Sequence, residues 1–111
     1  MIFRDLLIGY YYGKASSRFN RKEYLEPLNF ILKAINVGPD CDSDITYADN
    51  LFFAARCYFQ LGRYSDAMKC ASDGLSIYHN LKGDTSFLKG DILKIELFIE
   101  NIKRRTSDLP N

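Results

Sequence analysis

The sequence predicts an all-α protein. Apolar residues recur at spacings of three and four over long stretches, and glycine or proline breaks fall between those stretches. No stretch shows the strict apolar–polar alternation that a half-buried strand requires. With 111 residues, 47% of them hydrophobic, the chain suits one compact core. Lys+Arg 15 against Asp+Glu 14 leaves a net charge of +1, too weak a field to gather phosphates, so a nucleic-acid partner is not expected.

Five helices are predicted, over residues 2–18, 21–37, 44–61, 64–79 and 84–105. The first opens as MIFRDLLIGYYYG; Arg4 and Asp5 interrupt its apolar run and no small-residue cleavage pattern follows, so it is a poor secretion signal. No segment reaches the roughly 20 apolar residues of a membrane span. In the second, Tyr24, Leu28, Ile31 and Ile35 share one face, and Gly38-Pro39-Asp40 ends it. Gly62 separates the third from the fourth, and Gly83 precedes the fifth. That last helix carries the stripe Leu88, Ile92, Ile95, Ile99 and Ile102, with Lys89, Lys94, Glu96 and Glu100 elsewhere on its surface. Asp84, Thr85 or Ser86 is placed to cap it, and Lys103, Arg104 and Arg105 suit its negative end. The stripe also steps like a coiled-coil seam, although packing against the fourth helix explains it more simply.

No catalytic constellation is legible. The sequence lacks GxSxG, a phosphate-binding glycine loop and a cluster of metal ligands, and His79 stands where a helix dipole favours it. Cys41, Cys57 and Cys70 form no CxxC pair and have no neighbouring histidine, so they read as buried or idle thiols in a reducing cytoplasmic or nuclear setting. Asp40, Asp42 and Asp44 alternate, but the glycine and closing glutamate of a calcium loop are missing. No enzyme activity, cofactor or metal is expected.

Compared with itself at a shift of 40 residues, the chain repeats its side-chain sizes. Tyr11 falls on Leu51, Ala15 on Ala55, Phe19 on Phe59, Tyr24 on Tyr64, Ala34 on Gly74 and Ile35 on Leu75. Large meets large and small meets small, as packed helix pairs need if their backbones are to approach at the small positions.

The stretch Ala48 to Asn80 resembles a tetratricopeptide (TPR) repeat. Leu51, Ala55, Tyr58, Gly62, Tyr64, Ala67 and Gly74-Leu75 stand where that family has its large, small, aromatic and turn residues. Gly9 to Asp40 resembles a degenerate copy, in which Lys22 replaces the turn glycine and Pro27 the usual alanine. Pro27 is expected well inside the second helix, where it would remove a backbone bond and bend the helix. The family period is about 34 residues, and Cys41 to Thr46 supplies the six that remain. The resemblance thus implies one domain, 1–111, forming a short right-handed solenoid of antiparallel helix-turn-helix repeats. Repeat one covers about 8–41, an insertion 41–46, repeat two about 48–81, and a capping helix about 84–105.

The resemblance also implies function: a concave groove, lined by the first helix of each pair, that receives a peptide or helix of another protein. Its positions would be Tyr12, Ser16 and Asn20, then Asp49, Phe52, Phe53, Arg56 and Gln60, with Lys89 and Lys94 bordering it from the fifth helix. Against this, Phe52 and Phe53 can be ordinary core, and Arg56 can simply pair with Asp49. The subfamily that grips a chaperone's terminal carboxylate is a poor match, because Tyr12, Ser16, Phe53 and Phe87 occupy positions where it has basic or amide residues. The alternative is an assembly or dimerisation subunit: two repeats are few, and the apolar first helix, with Phe3, Leu7 and Tyr10, favours association in a homo-oligomer or larger complex.

Overall fold

The computed structural model describes the backbone of residues 2–37 and 44–107 and, beyond residue 5, their side chains. It is all-α, with α1 Ile2–Phe19, α2 Leu25–Val37, α3 Asp44–Gln60, α4 Tyr64–His79 and α5 Lys89–Ser107; a single 3-10 turn, Ser86–Leu88, leads into α5. Each helix packs on its neighbours in the chain, most closely α1 on α2 and α3 on α4. The molecule is a slab of 48 × 33 × 20 Å. No helix among the described residues is long and apolar enough to cross a membrane.

The two helix pairs turn in the same way. After α1, Lys22 N–H donates to Phe19 C=O (2.9 Å) and Glu23 N–H to Arg18 C=O (3.2 Å); after α3, Gly62 N–H donates to Phe59 C=O (3.0 Å) and Arg63 N–H to Tyr58 C=O (2.8 Å). Both are Schellman closures, and the 40-residue offset carries one onto the other, bond for bond. The closure needs a left-handed residue, which Gly62 supplies at φ 77° and Lys22 must supply at φ 61°. The ring pairs behind the turns repeat too: Phe19–Tyr24 at 5.3 Å and Phe59–Tyr64 at 5.4 Å between centroids.

The turn after α1 takes residues that the sequence assigned to the second helix, so α2 starts at Leu25 and not at residue 21. Pro27 is therefore in the first helical turn and not deep inside. Its absent N–H is one that the helix leaves unpaired anyway, and the first bond runs from Leu28 N–H to Tyr24 C=O (3.2 Å). The expected bend has no cause. Asp44, Ile45 and Thr46 of the expected insertion open α3, while residues 38–43, with the Gly38-Pro39-Asp40 break and Cys41, lie outside the described residues.

Two cores share α3. Ile8 and Ala15 of α1 meet Leu28, Ile31 and Ala34 of α2 on the face of α3 that carries Phe53, Ala54 and Cys57. Ala48 and Ala55 on its other side meet Ala71 and Tyr78 of α4, with Leu88 and Ile95 beyond. Small residues set the helix spacing. A Cβ on Gly74 would stand 3.2 Å from the Ala48 carbonyl oxygen, so α4 approaches α3 there as only glycine comfortably allows. The α5 stripe packs inward, with Leu88, Ile95 and Ile102 buried and Ile92 and Ile99 half-buried.

The paired turns make opposite demands on their central residue. Lys22→Gly relieves a left-handed side chain and is expected to stabilise the fold by roughly 0.5–1 kcal/mol, whereas Gly62→Ala, with open space around its Cβ but the wrong φ, is expected to cost about 1 kcal/mol. Thermal melts of the two variants check both signs.

Candidate functional site

A groove of about 940 Å³ runs along one side of the slab, and α1, α3 and α5 build its walls. On α3, Asp49, Phe52, Arg56 and Phe59 follow one another at intervals of three, four and three residues; on α5, Asp91, Lys94, Phe98 and Asn101 do the same. This spacing keeps each set on one helical stripe. Tyr12 and Phe19 supply the α1 wall.

Two chains of aromatic rings run along it, edge-on except for the tilted Phe59–Phe98 pair, and all but Tyr64 line the groove. Tyr24, Phe19, Phe53 and Tyr12 form one, with successive centroids 5.3, 5.3 and 5.6 Å apart. Tyr64, Phe59, Phe98 and Phe52 form the other, at 5.4, 5.4 and 5.3 Å. The first ties α3 to the α1–α2 pair and the second ties it to α5, each contact adding about 0.5–1.5 kcal/mol beyond simple burial.

Of the positions expected from the sequence, Tyr12, Asp49, Phe52, Phe53, Arg56 and Gln60 line the groove, and Lys94 joins them. Ser16, Asn20 and Lys89 do not. Ser16 lies on the stripe of Tyr12 and Phe19, but its short, half-buried side chain does not reach. Asn20 falls past the end of α1, in the turn. Lys89 begins α5 two residues before Asp91, roughly 200° around the helix from it. Phe53 is chiefly core, at 6% exposed, whereas Tyr12 is 45% exposed. Phe19, Tyr24, Phe59, Asp91, Leu97, Phe98 and Asn101 were not foreseen, although carrying the α3 spacing over to α5 would have found most of the α5 set.

The polar groups are disposed unevenly. Arg56 makes no ion pair with Asp49: its guanidinium carbon lies 4.5 Å from the Phe19 ring centroid and 5.9 Å from that of Phe53, a cation–π stack that leaves its N–H edges open. Arg105 stands 5.6 Å over Phe59 in the same manner. Asp49 instead accepts a hydrogen bond from the hydroxyl of buried Tyr78, which fastens α3 to α4. Partial desolvation holds the Asp49 carboxyl above its ordinary range; the Tyr78 hydrogen bond opposes this, and nearby Asp91 adds to it. Tyr78 is pushed upward in turn, by burial first and then by Asp49.

The remaining chemically interesting groups lie elsewhere. Burial pushes the Cys57 thiol up to about 12 and raises Cys70 as well, which keeps both protonated and poorly nucleophilic. His79 is exposed in the last turn of α4. Asp84 accepts the Ser86 backbone N–H (3.0 Å), which holds its carboxyl below the usual range and shapes the 3-10 turn ahead of α5. Asp40 and Asp42 lie outside the described residues.

No family model, curated protein or solved structure matches this chain.

Because the folded state holds the Asp49 proton more tightly than the unfolded chain does, ionising Asp49 opposes folding, and its effect on stability worsens as pH rises from the ordinary carboxylate range through the raised pKa. Asp49→Asn keeps an acceptor for Tyr78 and removes the charge. It is expected to raise the melting temperature at about pH 7 and to lose that advantage near pH 3; an equal difference at both pH values would contradict the desolvated carboxylate.

Proposed function

We propose that this chain is a non-catalytic interaction module of the tetratricopeptide type, which receives a peptide or helix of another protein in the groove between α1, α3 and α5. The observation that carries this reading is the groove itself. It places exposed aromatic and aliphatic surface, Tyr12 and Leu97 above all, beside an arginine whose donors are open. Aromatic residues and arginine are enriched where proteins bind one another. The matching turn closures 40 residues apart support a repeat origin for the two helix pairs.

A photo-cross-linking side chain placed at Leu97, in the groove, is expected to yield a protein adduct in the cells that make this chain, whereas one at exposed Ser72 on α4 is not. Equal adducts from both positions would sink the groove reading.

One observation favours a second reading, as an assembly subunit. Exposed large apolar side chains lie on the two end helices of the array: Leu6 and Tyr10 on α1, and Leu93 on α5, with Phe87 standing just before it at 69% exposed. Such ends invite stacking of one copy on another. If they do stack, light scattering across a hundredfold range of concentration shows a mass that grows, and Leu93→Glu returns it to the monomer; a constant monomer mass excludes this reading.

A further inference from the structure

The groove is electrically polarised, and that limits what can lie in it. Asp49 and Asp91 occupy one end, close enough for the Asp91 charge to act on the Asp49 carboxyl, with Lys94 a turn further on. Arg56, stacked on the Phe19 ring, occupies the other. Among the described residues, none of Asp91, Lys94, Arg56 and Arg105 is in an ion pair. Asp49 and Arg56 are seven residues apart on α3, which is roughly 10 Å at about 1.5 Å per residue. Between the ends the rings of Tyr12, Phe52, Phe53 and Phe98, with a single hydroxyl among them, form the floor, and the polar side chains of Gln60, Lys94 and Asn101 stand at its margins.

Such a floor discriminates between backbone conformations. An extended peptide laid across it would press unpaired N–H and C=O groups against rings, at a cost of about 1–3 kcal/mol for each group left without a partner. A helix arrives with its backbone bonds already made and presents only side chains. Ten ångströms is also two turns of a helix, the distance between residues i and i+7 on one face.

Resting on the groove reading, we propose that the occupant is an amphipathic helix of a partner protein, carrying Lys or Arg at one end of its docking face, Asp or Glu about two turns away, and apolar residues at the i+3 and i+4 positions between. Its cations meet Asp49 and Asp91, its carboxylates meet Arg56, and its apolar stripe covers Tyr12, Phe52 and Phe98. Charge complementarity of this kind selects the partner and its register more than it adds affinity.

Synthetic peptides of roughly 18 residues, long enough to become helical on docking, test this in titrations followed by backbone amide chemical shifts. One peptide has a leucine stripe with lysines at one end and glutamates at the other. A second has the same composition with both charges mixed at each end. A third keeps the polarised order but has a proline at its centre. The polarised peptide is expected to bind at least about tenfold more tightly than either of the others. The double variant Asp91→Asn/Arg56→Gln, which removes a charge from each end of the groove at two exposed positions, is expected to remove that preference. If the mixed peptide binds as well as the polarised one, the polarity plays no part; if the proline peptide does, the ligand is not a helix. Either result overturns this inference and leaves the groove reading standing, whereas a set in which no peptide shifts the groove amides overturns both.

Discussion

The structure depends on α3 being apolar on two sides at once. A surface helix has one stripe to bury, but α3 buries Phe53, Ala54 and Cys57 against the α1–α2 pair and Ala48 and Ala55 against α4 and α5. Neither core is large, and removing α3 would divide the chain into a helix pair at one end and two helices at the other. Alanine makes the double burial possible. Adjacent Ala54 and Ala55 are both fully buried, one in each core, and residues of that size let helices close in from both sides without forcing either away.

Side-chain size also opens the groove. Where α3 meets α4 the nearest approach is small, Gly74 against the Ala48 carbonyl, with Tyr78 and the Phe59–Tyr64 ring pair to either side of it. On the α1, α3 and α5 side the contacts are rings: Phe19 on Phe53, Phe52 on Phe98, Phe59 on Phe98. Bulky contacts on one side and small ones on the other hold these three helices apart while their partners close behind them. The rings that prop the groove open are also its lining. Phe53 marks the boundary, contributing to the floor while belonging mainly to the core.

Charges show a similar division of labour. The salt bridges Arg18–Glu26, Arg63–Asp66, Lys69–Asp73 and Lys103–Glu100 lie outside the groove lining, and such exposed pairs each add little to stability. Inside the groove, Asp49 is held in a partly desolvated place beside another carboxylate, and Arg56 is stacked on a ring and not paired with an acid. These are groups whose electrostatic needs the folded chain does not meet by itself, an arrangement more often found where something binds than where a surface is merely solvated.

The sequence by itself determined the helices, because apolar residues recurring every three and four positions come together only along a helical face, and Gly62 marks the end of α3. It also carries the match in side-chain size across 40 residues, at positions such as Ala15 and Ala55 or Phe19 and Phe59, that accompanies the two like turns. Where it misplaced an element, a side chain concealed a backbone geometry: Lys22 adopts the left-handed turn that Gly62 announces openly, and this delays α2 to Leu25 and makes Pro27 harmless. Only the tertiary structure decided what each groove residue does. Asp49 bonds to Tyr78 from another helix, 29 residues away, and Arg56 stacks on Phe19 across the gap between α3 and α1. Helical periodicity places a residue on a face, but the partner it finds there comes from a different helix, whose distance and tilt are set by all the side chains packed between them.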